Sequence, residues 1–471
     1  MATNLAMVPI IARLMGPAEF GISVLGLAAL AMAEAVRDFG GTSYIINDKN
    51  LSARRVHTAF TIMLVLTLAM TIALLAAAGP IARFYGIEGL QPFIQVTALC
   101  YLVGPFVSPL NALLRRDLEF GRVAKITVGS TTVYAVCAIG LASLGHSYMS
   151  FAWASLASSI TAMVLGFCYR SDLSIFRLSL GEWRLLVGFG RYEASASILM
   201  QLRDYLPYLI FGRLLNAEAV GLFQRATTIC DLPKRTLLGG LSTLALPAMS
   251  ACVRDGARLA DTYLKAASYV TAVHWPSLAL LALLAHPIVA VLLGPKWTEA
   301  APLVQIIAAA TLFNFSVSLT FSTLIAAGAV HRVFLMNLIL VPASTVIVAF
   351  AAQYGLTAVA WSMFIAMPLE TAIAMYFLRR SIPFSWLALG RALSPSAKVT
   401  ALTVAGPSAV IALHGTMHLS VAMGMLAGAL GAAGWLAGLR VCGHPLYAEI
   451  LRLRDDMASR LQSARAAREA R

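Results

Sequence analysis

Residues 12–22 read ARLMGPAEFGI and residues 212–222 read GRLLNAEAVGL. Arg13-Leu14 aligns with Arg213-Leu214 and Gly21 with Gly221, and a glutamate (Glu19, Glu218) lies inside each stretch. One repeated dipeptide carries little, so the weight falls on what recurs around it. PFIQV at 92–96 returns as PLVQI at 302–306, Arg122-Val123 as Arg332-Val333, and Ala152-Trp153 as Ala360-Trp361. These matches keep their order at offsets between 200 and 210, which marks an internal duplication.

The composition says what was duplicated. Of 471 residues 59% are hydrophobic and only 12% are charged, with a mean hydropathy of +0.80. A soluble domain carries about twice that charge. Apolar runs lie near 1–15, 22–46, 57–79, 91–113, 124–144 and 148–169, then near 186–211, 221–250, 267–293, 301–327, 334–352 and 356–378. Two more lie near 399–414 and 418–439. Each approaches the length that crosses a bilayer. The expected fold is therefore an all-α polytopic membrane protein of about fourteen transmembrane helices. Six spans repeat as six spans, and an even number keeps both copies in the same orientation, as parallel lobes. The expected organisation is an N-lobe over 1–180 and a C-lobe over 181–382. Helices thirteen and fourteen follow over 383–445. From 446 to 471, Leu446, Ile450, Leu453, Met457 and Leu461 recur at helical spacing among charged residues, which predicts an amphipathic cytosolic tail.

The net charge of +14 raises nucleic acid as a partner, and its distribution removes that reading. Loops after even-numbered spans hold Lys49, Arg54, Arg55, Arg115, Arg116, Arg122, Lys125, Arg170, Arg177 and Arg184. In the second half they hold Arg254, Arg258, Lys265, Arg332, Arg379, Arg380, Arg391 and Lys398. Loops after odd-numbered spans hold only Arg13, Arg83, Arg213 and Lys296. That asymmetry predicts cytoplasmic N- and C-termini and places both opening stretches outside.

Charges that remain inside spans are costly in hydrocarbon and are expected to face protein or water. The cations are Arg37, Arg191, Arg203, Arg225, Lys234 and Arg235; the acids are Glu34, Asp38, Glu193, Asp204, Asp231 and Glu370. Glu34, Arg37 and Asp38 fall within an arc of about 100° on span two. Arg225 lies roughly 6 Å from the outer end of span eight and Arg235 roughly 20 Å down it, at 1.5 Å per residue. Two readings stand. In one, Arg37, Arg203, Arg225, Lys234 and Arg235 line a hydrophilic cavity and hold an anionic group such as a diphosphate, which the guanidinium fork meets bidentately. Glu34, Asp38, Asp204, Asp231 and Glu370 are then cavity acids or coupling groups. In the other, cations and acids neutralise one another, as Asp231 and Arg235 do at i,i+4. Arg191 and Glu193 lie near enough to the inner interface to snorkel.

Other features carry less chemistry. The six cysteines are scattered, without a CxxC pair, and read as small apolar residues. His414 and His418 have i,i+4 spacing without an acidic partner, so no metal site is expected. Prolines within spans (Pro105, Pro109, Pro207, Pro233, Pro247, Pro276, Pro368) permit kinks. No GxxxxGK[ST] loop occurs, so the chain is not expected to hydrolyse ATP, and no catalytic residue or cofactor is expected. With no cleavable signal before the first run, the helices themselves are expected to carry the targeting.

ARLMGPAEFG, VRDFGGTSYII, GLFQRATTICDLPKRTLLGGL and LGPKWTEAAPLVQIIAAA, taken in order, resemble the bacterial polysaccharide flippases of the multidrug/oligosaccharidyl-lipid/polysaccharide exporter superfamily. The resemblance runs over about residues 1–380 and thins after them. It implies two six-helix lobes, alternating access without ATP, and flipping of undecaprenyl-diphosphate-linked oligosaccharide repeat units across the inner membrane. It further implies that Arg37, Arg203, Arg225, Lys234 and Arg235 meet the diphosphate and sugar. Membrane lipids and the lipid-linked substrate are the expected partners, with a polysaccharide polymerase and chain-length machinery beside them. Alternatives are a peptidoglycan-precursor flippase or cation-coupled drug exporter of the same superfamily, or a membrane polymerase or ligase, for which the outer loops are short. Two departures stand out. Span one is short before Arg13, so an upstream start is expected, and the second stretch lacks the Pro of GPAEFG, so its turn is expected to differ.

Overall fold

The computed structural model describes residues 2–48, 50–256 and 258–452, and among them every regular element is a helix. α1 (Ala2–Leu14), α2 (Pro17–Asp38) and α3 (Gly41–Asn47) are followed by α4 (Ala53–Tyr85), α5 (Leu90–Arg116), α6 (Phe120–Ser143) and α7 (Met149–Tyr169). The second series is α8 (Trp183–Leu214), α9 (Ala217–Leu237), α10 (Gly239–Arg254), α11 (Leu259–Leu283), α12 (Ala285–Leu292), α13 (Ala300–Thr311), α14 (Val317–Ala326), α15 (Val330–Ala352) and α16 (Leu356–Ser381). α17 (Trp386–His414) and α18 (Val421–Val441) come last. Each of the fourteen expected spans falls on helix, and spans two, eight, nine and ten are each built from two pieces. The chain is a multi-pass membrane protein.

Among the described residues, ten helical stretches are long and apolar enough to cross a bilayer. Spans one, two, seven and eight stand outside that set, α1 because it has only 13 residues, and the described apolar stretch of α2 is Pro17–Ala31. Spans seven and eight depart from a lipid-like composition, with Arg191, Glu193, Arg203 and Asp204 in α8 and Arg225, Asp231, Lys234 and Arg235 in α9. Helices that border a polar interior have that character.

Backbone proximity divides the chain into two compact units. The first comprises Met1–Arg225, Leu292–Thr298 and Val341–Val359. In it α4 packs on α5, α5 and α6 on α7, and α2 on α8. The break between α2 and α3 comes from two successive left-handed residues, Phe39 at φ 40° and Gly40 at φ 71°. Gly190 of α8 lies directly against that break: a Cβ there would sit 2.3 Å from the Phe39 carbonyl oxygen. On the loop side, the Arg55 guanidinium bridges Asp48 (2.8 Å) and Glu182 (2.7 Å). Arg116 donates to the Ile45 and Asp48 carbonyls at 2.9 and 2.6 Å, satisfying acceptors left over at the end of α3.

The second unit comprises Ala226–Val291, Glu299–Leu340 and Ala360–Arg471. Here α11 packs along α17, and α17 along α18. Lipid tails are as apolar as leucine, so such helices associate through close packing and polar pairs. Gly434 of α18 shows the first: a Cβ would fall 2.5 Å from the Leu402 carbonyl oxygen. A buried polar knot shows the second. His444 Nδ1 accepts from the Leu446 amide (3.1 Å), while Nε2 faces Ser268 Oγ (3.1 Å) and Ser396 Oγ (3.3 Å), and Thr271 donates to Ser396 Oγ (2.9 Å). Burial lowers the His444 pKa below 6.5. The chain is helical again from 445 to 452, with Leu446, Tyr447 and Ile450 packed on Ala272, Val399 and Leu439. Leu453, Met457 and Leu461 of the expected tail lie outside the described residues.

Candidate functional site

The two opening stretches fold alike. α1 ends at Leu14 and α2 starts at Pro17; α8 ends at Leu214 and α9 starts at Ala217, the same positions at an offset of 200. Their caps differ, as the missing proline requires. In the first turn Pro17 takes the first helical position and Glu19 Oε2 accepts from the Gly16 amide at 3.0 Å. In the second, Asn216 Oδ1 accepts from the Ala219 amide at 2.8 Å. The glycines that follow bring α2 and the start of α9 into backbone contact. A Cβ on Gly21 would lie 1.7 Å from the Ala217 carbonyl oxygen, and one on Gly221 would lie 2.1 Å from that of Pro17. Residue 17 meets 221 and residue 217 meets 21, so the contact has the symmetry of the repeat.

Arg225 lies one turn beyond this crossing and is 6% exposed. Its guanidinium carbon stands 3.7 Å from the centre of the Phe20 ring and 5.8 Å from that of Trp297, while its Nε has no hydrogen-bond partner. Trp297 is fully buried, and its Nε1 donates to the Ala12 carbonyl at 2.7 Å. Phe20 also meets Phe151 edge-on at 5.8 Å. A desolvated cation over an aromatic face gains about 2 kcal/mol or more. One arginine therefore holds α2, α9 and the short turn Pro295–Trp297 together, and that turn is tied back to the end of α1.

The remaining charges have other surroundings. α2 and α8 pack side by side, and Tyr205 lies within electrostatic reach of both Asp204 and Glu34. Glu34 and Asp204 are exposed, and Arg203 is half-buried. The side chains of Arg37 and Asp38 lie outside the described residues. Glu193 accepts from Ser43 Oγ at 3.1 Å, which ties α8 to α3 in addition to any snorkelling. In the second unit Arg235 reaches Asp231 at 3.5 Å, the expected i,i+4 pair, and Lys234 is exposed beside it. Glu370 accepts from Asn314 Nδ2 at 3.1 Å. The His418 ring lies against that of His286 of α12, ring centres 4.0 Å apart and planes tilted by 53°. The structure thus places Glu34 and Asp204 each within electrostatic reach of Tyr205, pairs Asp231 with Arg235, and encloses Arg225 elsewhere. Phe20, Trp297 and Asn314 are the contributors that sequence reasoning passed over. Trp297 stands inside the LGPKWTEAAP stretch, and no spacing rule links it to residue 225.

A family profile described as polysaccharide biosynthesis protein matches residues 10–302. The chain belongs to this family. The resemblance first carried by ARLMGPAEFG therefore holds. One relative is the lipopolysaccharide biosynthesis protein WzxC of Escherichia coli (strain K12), 23% identical over 64% of this chain and 62% of that protein. Another is the succinoglycan biosynthesis transport protein ExoT of Rhizobium meliloti (strain 1021), 24% identical over 64% of this chain and 61% of that protein. The chain thus matches these curated relatives over about three fifths of their length. Among solved structures, the lipid II flippase MurJ in an inward closed conformation is similar over 96% of this chain and 97% of that one. Its TM-score is 0.76 at 11% identity, a likeness of fold.

Proposed function

We propose that this chain flips undecaprenyl-diphosphate-linked oligosaccharide repeat units from the inner to the outer leaflet of the bacterial inner membrane, supplying exopolysaccharide, capsule or O-antigen synthesis. The observation that carries the reading is the family match over residues 10–302, within which α8 and α9 carry charges inside their spans. The duplication supports lobes over 1–180 and 181–382 that exchange inward and outward access, with spans thirteen and fourteen over 383–445 outside the repeat. The distribution of Lys and Arg supports cytoplasmic termini.

In this reading the chain is a transporter without a catalytic residue. Arg203, Lys234 and Arg235 are accessible cations that are candidates to meet the diphosphate, and Arg37 of α2 is a further candidate. Glu34, Asp38, Asp204, Asp231 and Glu370 balance that charge and couple transport to an ion. Arg225 acts at the outer end, where it holds the crossing of α2 and α9. A polysaccharide polymerase and chain-length machinery receive the product. Deletion of the gene tests the reading. Lipid-linked repeat units should accumulate on the cytoplasmic leaflet and surface polymer should vanish; normal polymer in a strain without a second flippase would remove it.

A further inference from the structure

The loop ends of the first unit hold their arginines with acids: Arg55 with Asp48 and Glu182, Arg122 with Glu119, Arg170 with Asp117. The junction of α16 and α17 is built otherwise. Between Glu370 and Glu449 the sequence contains no Asp or Glu at all, yet it carries Arg379 and Arg380 at the end of α16. Among the described residues no carboxylate pairs with either.

Both cations lie on aromatic rings instead. The Arg379 guanidinium carbon is 4.6 Å from the centre of the Trp386 ring, and that of Arg380 is 4.6 Å from the Tyr376 ring. Arg379 Nε donates to the Phe384 carbonyl at 3.2 Å, which fixes the plane of its guanidinium. Stacking occupies the face of a guanidinium and leaves its N–H edge for an anion. The connecting turn is held in place by Ser385 Oγ, which accepts from the Ala388 amide, and by Phe384 stacked on Tyr263 at 5.8 Å. A cavity of about 510 Å³ opens here, lined by Ala372, Tyr376, Arg379, Arg380 and Trp386. Tyr376, Trp386 and Leu387 are exposed at 51%, 55% and 63%, the aromatic and apolar surface expected at the level of lipid headgroups.

We propose that this pocket holds the phosphate of an anionic phospholipid of the inner leaflet. Two cations without a carboxylate partner among the described residues, one of them held by the Phe384 carbonyl, supply bidentate donors to a phosphodiester. The ring faces of Tyr376 and Trp386 border the glycerol and the first methylenes. Basic pockets at cytoplasmic helix ends suit anionic headgroups in this way, and the positive-inside orientation puts the end of α16 on that side. The orientation is that of the proposed function; the pocket's chemistry stands apart from it.

A prenyl diphosphate presents the same chemistry, so the test separates the two sources. The purified full-length chain is titrated with phosphatidylglycerol, phosphatidylcholine or undecaprenyl diphosphate, and bound lipid is counted by native mass spectrometry. Phosphatidylglycerol should be retained roughly tenfold better than phosphatidylcholine, and that preference should disappear in Arg379→Gln/Arg380→Gln. Arg83→Gln, which removes one charge from the last turn of α4, should keep it. Lipid-free melting temperatures report folding. If the double glutamine variant does not fold, Arg379→Lys/Arg380→Lys keeps the charge, loses the planar fork, and should bind several-fold more weakly. Equal retention of phosphatidylglycerol by the arginine variants and the parent would overturn the proposal. So would arginine-dependent retention of undecaprenyl diphosphate without phosphatidylglycerol, which would make the pocket a docking point for the prenyl carrier.

Discussion

Arg225 and Arg235 stand ten residues apart on α9, and they meet opposite conditions. Arg225 is 6% exposed, lies over Phe20, and shares its cage with a fully buried Trp297. The Arg235 side chain is 61% exposed and shares a 3.5 Å contact with Asp231. In a sequence they are the same residue type on the same span. Physically the first is a fastener, because its removal strips a desolvated contact among three elements. The second remains open to an anion that arrives from solution, because among the described residues its partner is a half-exposed carboxylate 3.5 Å away. An arginine inside a membrane span is therefore not by itself a substrate ligand; what lies over its face decides.

The largest effect should come from the glycine crossing that neighbours Arg225. Gly221→Val places its first carbon where the Pro17 carbonyl already lies, so α2 and α9 must separate. A cost of about 3 kcal/mol or more is expected, read as a lowered melting temperature together with lost export. Arg225→Ala comes next, at about 2 kcal/mol or more, with Arg225→Lys recovering only part because the flat stacked group is gone. If Arg225→Ala melts like the parent while export fails, Arg225 belongs with the accessible cations and the contrast with Arg235 collapses. Arg235→Ala should change stability by about 0.5 kcal/mol or less, since exposed pairs contribute little, and still lower export about tenfold. Asp231→Asn should be smaller still, leaving melting unchanged and altering only the affinity for lipid-linked substrate.

A pH scan adds a control in a different part of the molecule. The folded pKa of His444 lies below the ordinary 6.5, so the neutral ring is the form the fold prefers. The folded state then binds fewer protons than the unfolded one, and stability contributed by His444 is present above pH 6.5 and lost as pH falls through and below it. Protonation at Nδ1 would also set an N–H against the Leu446 amide that now donates there. His444→Gln should flatten the acid limb of the melting curve and leave the Arg225 and Arg235 effects in place.

Hydropathy was enough to read the spans, because a lipid-facing helix must be apolar. The repeat was legible because Gly21 and Gly221 are fixed by packing: their lack of a Cβ is a backbone requirement of the crossing, not a preference. The breaks inside spans two, eight, nine and ten were not legible. Phe39 adopts a left-handed conformation although nothing about phenylalanine announces it, and periodicity passes smoothly over such a residue. Charged candidates could be named by type alone, but not sorted. Phe20 and Trp297 lie 205 and 72 residues from Arg225 in the chain, so only folding shows that they enclose it.

The most direct test of the central claim is translocation by the purified full-length chain. Vesicles containing undecaprenyl-diphosphate-linked oligosaccharide in the inner leaflet are scored for saccharide that an impermeant lectin can reach outside. The account predicts that exposure rises with the parent protein and falls back with Arg203→Ala/Arg235→Ala, while both proteins melt alike. Exposure no greater than in protein-free vesicles, from folded and inserted parent protein, would contradict it.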